Sequence, residues 1–380
     1  MNPKLRFKLS ESQSAWAPCR IGDILSVFHG KDYKGIPEGD IPVLATSGQI
    51  ASVSRSLCTW PCALIGRKGT INKPQFMDSP FWSVDTLFYT KPKGNHHPKF
   101  QYYLFQTIDW MKYNEGSGVP SLSAHTIQKI KVLTPSAQEQ EKIASFLSQL
   151  DSKIQLEEQK ALTYKRLKQN LLADIISQKR TLLPLQKSKH SEWQVTTIRE
   201  VTSICGGGTP STSNLTYWNG DIQWLTPTEI NSKFVHNSKR TITESGLKNS
   251  SAKLLPQGAL LLTTRATLGA CSINNFDGPI CTNQGFQSLI PNDKIVGEYL
   301  YYVIQSPPFQ KEMHTRASGS TFLEISPSNL KSIKIPLPSL KEQGIIADFL
   351  SSLDTKIELI EKRIQTTKKL KQALLQQMFV

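Results

Sequence analysis

Basic, hydroxyl and amide side chains stand in loop-like stretches of this sequence, where they are suited to contact a polyanion. Arginine and lysine bind phosphate oxygens and guanine edges, and asparagine or glutamine can bind adenine through two hydrogen bonds. Candidates for contact with phosphates or base edges are Arg67, Lys68, Thr70, Lys73, Trp218, Thr226, Thr264, Arg265, Asn283, Gln284 and Arg316. Their types predict binding rather than bond-breaking chemistry.

Motifs of the common enzymes do not accompany these residues. Cys205–Ser211 and Gly66–Thr70 are glycine-bearing loops without the Gly-Lys-Ser/Thr of a nucleotide-binding loop. Ser306–Phe309 resembles the base-holding loop of amino-methyltransferases, but no glycine-rich cofactor loop accompanies it, and Pro307-Pro308 more simply ends a helix. We expect no catalytic residue and no cofactor, with a freestanding DNA amino-methyltransferase as the main alternative.

The composition indicates a basic globular protein. A length of 380 residues with 38% hydrophobic residues suits two domains, and the formal charge of +15 favours a polyanionic partner. Six cysteines without a C-x-x-C pair predict reduced, structural residues and no metal site. The sequence shows neither a signal peptide nor an apolar run long enough to span a bilayer, so we expect a cytoplasmic protein without membrane contact.

An internal repeat organises the chain. Residues 135–154 match residues 338–357 at 13 of 20 positions without a gap. Weaker matches pair Trp16 with Trp193, Asp40-Ile41 with Asp221-Ile222, Arg67 with Arg265, and Tyr102-Tyr103 with Tyr301-Tyr302. The repeat predicts two copies of one plan that differ mainly in their loops.

Each copy ends in a long helix with an apolar stripe at heptad spacing. Ser136 and Ser339 are the expected N-caps, and each helix is expected to run for 40 residues or more. Since a long stripe needs a long partner, the helices are expected to pair antiparallel about a pseudo-two-fold axis, although each could instead dock on its own domain. The expected pairing or subunit-interface residues are Ile143, Leu147, Leu150, Ile154, Leu171, Ile346, Leu350, Leu353, Ile357, Ile364 and Leu374.

The predicted fold class is α+β, with two similar α/β domains separated by two long antiparallel coiled-coil helices. The short apolar runs 259–263, 280–282, 332–335 and 129–133 predict strands, and residues 298–305 and 99–109 predict helices. The expected segments are domain 1 at residues 1–134, helix 1 at 135–184, domain 2 at 185–337 and helix 2 at 338–380.

This order of domain, helix, domain and helix resembles the specificity subunits of type I restriction-modification systems. The segments that carry the resemblance are Gly206–Ser211, Tyr217–Thr226, Leu262–Gly269, Thr282–Phe286, and Pro338–Ala347 with its first copy. The first domain departs from the pattern, because it has Gly30-Lys-Asp-Tyr33 in place of the Gly-Gly-Thr-Pro-Ser run.

The resemblance implies a DNA-recognition subunit without catalysis of its own. In such systems each domain reads one part of a bipartite site on double-stranded DNA, and the helices set the gap. Two modification (methyltransferase) subunits, which carry the S-adenosylmethionine chemistry, and restriction or motor subunits are the implied partners. A coiled-coil scaffold that binds only protein is the third interpretation.

Overall fold

The computed structural model describes residues 3–7, 14–179, 193–265, 267–319 and 323–379. The chain divides into two compact units. The first unit comprises Met1–Gln159 and Ile360–Val380, and the second comprises Lys160–Leu359. Each unit thus includes parts of both long helices, whereas the sequence suggested separate domain and helix segments. The expected boundary between residues 184 and 185 lies outside the described residues.

The described residues of the amino-terminal half form nine strands and four α-helices. In chain order they are β1 (Ala17–Arg20), α1 (Ile21–Ile24), β2 (Leu25–His29), β3 (Ile41–Ala45), β4 (Gly48–Val53), β5 (Cys62–Gly66), β6 (Gln75–Met77), β7 (Trp82–Ser83), β8 (Leu87–Pro92), α2 (Pro98–Thr107), α3 (Ala124–Lys129), β9 (Lys131–Thr134) and α4 (Ala137–Ile176). A 3₁₀ turn covers Trp110–Tyr113.

The carboxy-terminal half follows this order with one strand and two α-helices inserted among its described residues. Its elements are β10 (Gln194–Thr197), α5 (Ile198–Val201), β11 (Thr202–Gly206), β12 (Trp218–Leu225), β13 (Phe234–Val235), β14 (Arg240–Ile242), α6 (Glu244–Lys248), β15 (Leu260–Thr263), β16 (Cys271–Asn274), β17 (Ile280–Thr282), β18 (Phe286–Pro291), α7 (Gly297–Gln305), α8 (Pro307–Arg316), α9 (Pro327–Lys331), β19 (Lys334–Leu337) and α10 (Leu340–Met378). Short 3₁₀ turns cover Leu215–Tyr217 and Pro227–Glu229.

The sheets of the two units share one topology. Each unit has a larger sheet, ordered β2-β8-β5-β6 in the first and β11-β18-β15-β16-β13 in the second. Each also has a three-stranded sheet, ordered β4-β3-β7 and β14-β12-β17, whose central strand pairs antiparallel on one side and parallel on the other. A two-stranded ribbon, β1-β9 or β10-β19, completes each set. Helices and mixed sheets in both units confirm the predicted α+β class.

Both long helices begin where their serine caps predict. The backbone N–H of Glu139 lies 3.4 Å from the hydroxyl of Ser136, and that of Glu342 lies 3.3 Å from the hydroxyl of Ser339. Helix α4 has 40 residues and α10 has 39, which at about 1.5 Å per residue gives a length of roughly 60 Å each.

The start of each helix packs into the core of the domain that precedes it. Ile143 and Leu147 belong to the main core of the first unit, and Ile346 and Leu350 belong to that of the second. The first turns of each long helix thus pack on the preceding domain. Since a helix presents one stripe to its neighbour, this packing fixes the direction in which each helix leaves its domain.

Within each unit, the start of one long helix lies antiparallel to the end of the other. In the first unit Asp151 pairs with Lys371, and Glu158 pairs with Lys368. The residue number increases along α4 while it decreases along α10, so the two helices run antiparallel. In the second unit Leu171 shares the core with Ile346 and Leu350. The further interface residues from the sequence are buried or half-buried on the same stripes: Leu150, Ile154, Leu353, Ile357, Ile364 and Leu374.

Candidate nucleic-acid interface

Four of the predicted contact residues lie in one tight loop between β5 and β6. The backbone N–H groups of Arg67 and Lys68 donate to the carbonyl of Thr86 at 2.8 and 3.2 Å. The guanidinium of Arg67 donates to the carbonyl of Asp85 at 3.2 Å and lies 3.9 Å from its carboxylate. Arg67, Lys68 and Lys73 are exposed and Thr70 is half-buried, so this loop presents a basic surface on a fixed backbone.

The equivalent loop in the second unit follows β15 and carries Thr264 and Arg265. Thr264 donates its N–H to Gly285 and accepts from Ile325 at its carbonyl, as Arg67 does with Thr86 and Leu122. The backbone hydrogen bonds therefore align Arg67 with Thr264, and Lys68 with Arg265. This register corrects the sequence alignment of Arg67 with Arg265 by one residue, because a β-ladder fixes equivalence through its partners rather than by residue type.

The side chain of Thr264 is buried, with an exposed fraction of 2%, and it lies near the carbonyl of Gly285. That burial corrects the expectation that Thr264 presents its side chain to a ligand. Arg265 is half exposed, and its guanidinium lies 3.6 Å from the carboxylate of Glu324. Arg316 is tied within its own domain, since it pairs with Glu312 at 2.9 Å and donates to the hydroxyl of Ser332 at 2.8 Å.

Three further candidates meet at one edge of the three-stranded sheet β14-β12-β17 of the second unit; this sheet and its counterpart β4-β3-β7 are called the small sheets. Thr226 follows β12, and Asn283 and Gln284 follow β17; because these strands are parallel, their carboxyl ends lie side by side. Asn283 accepts from the N–H of Gly285 at 2.9 Å, and Thr226 donates to the carboxylate of Glu229 at 2.7 Å. Gln284 is exposed and accepts from the hydroxyl of Thr209.

Trp218 is buried, with an exposed fraction of 6%, which corrects the expectation that its ring is available at the surface. Its indole N–H donates to the carbonyl of Ser211 at 3.1 Å, and the indole N–H of Trp224 donates to the carbonyl of Gly208 at 2.8 Å. The two rings meet edge to face at 5.1 Å. They form a platform beneath the segment that follows β11.

The glycines of that segment serve close packing. A Cβ on Gly207 would lie 2.0 Å from the carbonyl oxygen of Asn283, and one on Gly208 would lie 2.3 Å from the backbone nitrogen of Ala252. In the first unit, a Cβ on Gly30 would lie 1.9 Å from the carbonyl oxygen of Val84. These approaches explain why both copies have glycine after the first strand of the larger sheet. The turn expected at residues 205–211 begins only after Gly206, because Cys205 and Gly206 belong to β11.

The segment Ser306–Phe309 joins α7 to α8 inside the domain. Ser306 is buried and donates its hydroxyl to the carbonyl of Val303 at 2.6 Å, and Pro307 opens α8. Phe309 is 3% exposed and belongs to the main core of the second unit. Its ring packs in that core, and the prediction that the two prolines end a helix is confirmed.

The six cysteines are unpaired thiols, and four of them are buried. Burial raises the pKa of the Cys281 thiol to about 12, so this residue is inert at neutral pH. Across the part of the chain that the structure describes, no three metal-binding side chains cluster. No described helix is long and apolar enough to cross a membrane.

Sequence reasoning missed two buried glutamines that attach the long helices to the domains. The amide oxygen of Gln140 accepts from the N–H of His97 at 3.0 Å, and that of Gln343 accepts from the N–H of Val296 at 2.7 Å. Both amide groups also donate to a proline carbonyl before the helix. The identical Glu-Gln pair in both copies was the available signal, but its partners lie more than 40 residues away.

Two similar α+β units, each including parts of two long helices, define a duplicated protein whose loops differ between the copies. The chain belongs to the type I restriction modification DNA specificity domain family, whose model matches residues 13–163 and 190–369. This match confirms the resemblance and accounts for the duplicated order of the elements.

Named relatives are specificity subunits of type I restriction enzymes. The chain is 38% identical over 192 residues to the MjaIX specificity subunit of Methanocaldococcus jannaschii, covering 50% of this chain and 44% of that protein. It is 30% identical over 172 residues to the EcoR124I/EcoR124II specificity subunit of Escherichia coli, covering 44% of this chain and 42% of that protein. Each alignment thus spans less than half of the relative.

Solved structures share the fold over nearly the whole chain. The S subunit of a type I restriction-modification system from M. genitalium matches with a TM-score of 0.66 and 15% identity, covering 100% of this chain and 99% of that one. A chain from a study of assembly and conformational transition of the type I restriction-modification system matches with a TM-score of 0.58 and 18% identity, covering 95% and 96%.

Proposed function

We propose that this protein is the DNA sequence-recognition subunit of a type I restriction-modification complex. The single observation that carries the proposal is the family match in both halves of the chain, which coincides with two units of one topology. A recognition protein duplicated in this way has two reading surfaces, and their loops can diverge while the helices stay alike.

In this proposal each unit reads one part of a bipartite site on double-stranded DNA. The long helices set the gap, since a helix of fixed length is a stiff spacer. The surplus of 15 positive charges supports affinity for the duplex, because each phosphate contact releases counterions. Exposed basic side chains such as Lys73 and Arg265 suit phosphate or base contacts.

Two modification subunits and the restriction or motor subunits are the proposed protein partners. We assign methylation and cleavage to them and no catalytic residue or cofactor to this chain. The core position of Phe309 supports this assignment over a freestanding methyltransferase, because a ring packed in the core cannot stack on a flipped base. A complex that works on chromosomal DNA would lie in the cytoplasm.

The test is reconstitution with the modification subunits of the same system. The purified chain alone should transfer no methyl group, and the mixture should methylate a bipartite motif that sequencing of methylated sites can read. Phe309→Ala in the chain alone is a useful comparison. Methyl transfer by the pure chain that this substitution abolishes would establish the enzyme interpretation instead.

A second measurement separates DNA recognition from a scaffold that binds only protein. Binding of the mixture to duplex DNA should weaken steeply with salt, in proportion to the number of phosphate contacts. Assembly with the modification subunits in the absence of any salt-sensitive DNA binding would favour the scaffold.

A further inference from the structure

An exposed arginine lies on the tryptophan platform of the second unit. The guanidinium carbon of Arg240 lies 3.6 Å from the ring centre of Trp218 and 5.6 Å from that of Trp224. Arg240 opens β14, where its backbone is opposite Trp224 in the ladder of the small sheet. Stacking on an indole restrains the guanidinium plane while its N–H groups remain free at the edge.

The platform is itself held in place from below. Both indole N–H groups donate to carbonyls of the segment after β11, as described above, and both rings are nearly buried. The tryptophan rings under Arg240 are therefore fixed by hydrogen bonds that do not involve the arginine. A side chain fixed in this way loses little conformational entropy when it binds a ligand.

The first unit also places an arginine over a tryptophan of its small sheet, here on the outer strand β7. Arg55, two residues after the end of β4, lies with its guanidinium carbon 5.7 Å from the ring centre of Trp82 in β7. The indole N–H of Trp82 donates to the carbonyl of Lys31, in the segment after β2, at 2.8 Å. β4 and β14 are equivalent edge strands of the two sheets. Arg55 lies beyond the carboxyl end of β4, whereas Arg240 is the first residue of β14, so the two arginines lie at different positions along these strands.

Neither arginine pairs with a carboxylate of the described residues. Within the described ranges, the guanidinium groups of Arg55 and Arg240 have no carboxylate within 4.0 Å and no hydrogen-bond acceptor, and both residues are exposed. In contrast, Arg67, Arg265 and Arg316 each lie within 4.0 Å of a carboxylate. An exposed guanidinium that is held on a ring and has no acceptor among the described residues can bind a ligand that offers two hydrogen-bond acceptors.

We propose that Arg55 and Arg240 read bases, one in each half of the DNA site, each held by a cation–π contact with a tryptophan ring. A guanidinium presents two parallel N–H donors, which match the O6 and N7 acceptors of guanine in the major groove. The inference rests on the proposed function and assigns its specificity to the small sheets. The segments beside the arginines differ, with Lys31 and Lys34 in one unit and Thr209 and Ser211 in the other, so the two readers have different surroundings.

The experiment selects binding sites from a library of random DNA duplexes, using the full chain assembled with its modification subunits. Arg240→Ala should lose the base preference in one half of the selected motif, with a loss of affinity of roughly 5- to 150-fold for the parent site. Arg55→Ala should do the same in the other half. Arg240→Lys retains the charge but not the paired donors, and it should also lose the preference.

Matched controls are Lys248→Ala in the second unit and Lys112→Ala in the first, because both lysines are exposed and pair only with a neighbour on the same short segment. Both should select the parent motif. Equal unfolding midpoints in urea for Arg240→Lys and the parent would show that the fold is intact.

The outcomes separate this inference from the proposed function. If the parent selects a bipartite motif and all arginine variants retain it, the arginines do not read bases and only this inference fails. Uniform weakening on every sequence, without a change in motif, also overturns base reading, because it is the behaviour of a phosphate contact. If the parent selects no motif, the proposed function itself fails.

Discussion

Lys371 in α10 lies with its ammonium 2.6 Å from the carboxylate of Asp151 in α4, inside the first unit. The hydroxyl of Tyr103 in α2 donates to the same carboxylate at 2.7 Å, and the ammonium lies 5.2 Å from the centre of the Tyr103 ring. One carboxylate thus joins the domain to both long helices. Burial raises the pKa of Tyr103, so its hydroxyl stays protonated and continues to donate.

The second unit repeats this cluster with the residues that the repeat makes equivalent. Lys168 in α4 pairs with Asp354 in α10, and the hydroxyl of Tyr302 in α7 donates to Asp354 at 2.7 Å. Lys168 lies 5.2 Å from the centre of the Tyr302 ring. Each unit therefore binds the end of one long helix and the start of the other through the same three residue types.

Lys168→Met should destabilise the second unit, because it leaves the half-buried carboxylate of Asp354 without its cation. Both side chains of this pair are 18% exposed, so we expect a loss of about 1–3 kcal/mol in the free energy of unfolding, measured in urea. Lys368→Met is the control, since Lys368 and Glu158 are each 48% exposed and such pairs contribute less than about 1 kcal/mol. Equal losses in the two variants would contradict a special role for the cluster.

Gln343→Leu should lower the free energy of unfolding by about 2 kcal/mol, because it leaves the half-buried N–H of Val296 and the buried carbonyl of Pro338 without this partner. The same loss is expected for Gln140→Leu in the first unit. Urea unfolding again measures it, and Gln365→Leu at an exposed position of α10 should change little. A neutral result for Gln343→Leu would mean that apolar packing alone fixes the helix start.

Removal of one heptad from both long helices should shorten the gap in the DNA site. The segments Ile154–Lys160 and Ile357–Arg363 lie between Asp151 and Lys168 and between Asp354 and Lys371, so a matched deletion keeps both ion pairs and the apolar stripes. The spacing should fall by about 10 Å, or roughly three base pairs, or else binding should fail because the domains face different sides of the duplex. Sequencing of methylated sites measures the gap.

Deletion of only one of these heptads is the control for the same experiment. It makes the stretch between Asp151 and Lys168 differ from that between Asp354 and Lys371, so one cluster should break and stability should fall more than in the matched variant. An unchanged gap with full activity in the matched variant would show that the helices do not set the spacing.

We expect Glu298 to contribute to a loss of stability at acidic pH. Burial would raise the pKa of its carboxyl, but hydrogen bonds from Lys233 and Ser351 and the charge of Lys233 outweigh it and lower the pKa below its ordinary value. A folded-state pKa below the unfolded one stabilises the fold above the unfolded pKa, and this contribution is lost as the pH falls through the folded pKa. Glu298→Gln should therefore flatten the fall in urea midpoint below the ordinary pKa of 4.5.

The matched control for that titration is Glu244→Gln. Glu244 is 83% exposed and pairs with Lys248 on the surface of α6, so its substitution should change the free energy of unfolding little. A Glu298→Gln variant whose slope also equals that of the parent would contradict the assignment.

Arg265→Ala should relax recognition of one half-site by about 1–3 kcal/mol if Arg265 contacts a base. Lys68→Ala, at the equivalent position of the first unit, should affect the other half. Glu324→Ala is the informative control: it removes the carboxylate that lies 3.6 Å from Arg265, so DNA binding should be equal or tighter. Methylated-site sequencing that shows both halves altered together by Arg265→Ala would count against independent domains.

The local sequence pattern was enough to predict those elements that depend on neighbouring residues in the chain. The prediction of a strand at residues 280–282 matches β17, and the predicted helix at 99–109 is α2 with slightly different ends. The serine caps of the long helices lie three residues from the N–H groups that they satisfy. Periodicity and capping are short-range, so they are legible without the fold.

The residues of the candidate interface could be predicted only in part from the sequence. The basic residues after β5 and β15 were identified by type, but Thr264 and Trp218 are interior, and the alignment of the two loops was off by one residue. Arg55 and Arg240 were missed because their tryptophan partners are 27 and 22 residues distant in the chain. No local spacing marks such pairs.

The sequence by itself determined the duplication, the α+β class and the two long helices, because each rests on repetition or on the period of apolar residues along the chain. Only the tertiary structure decided which side chains reach the surface together. Strand order and register bring Thr226 beside Asn283 and place Arg240 over Trp218. Those choices depend on hydrogen-bonded ladders between distant segments, and a shift of one residue would turn each side chain to the opposite face of its sheet.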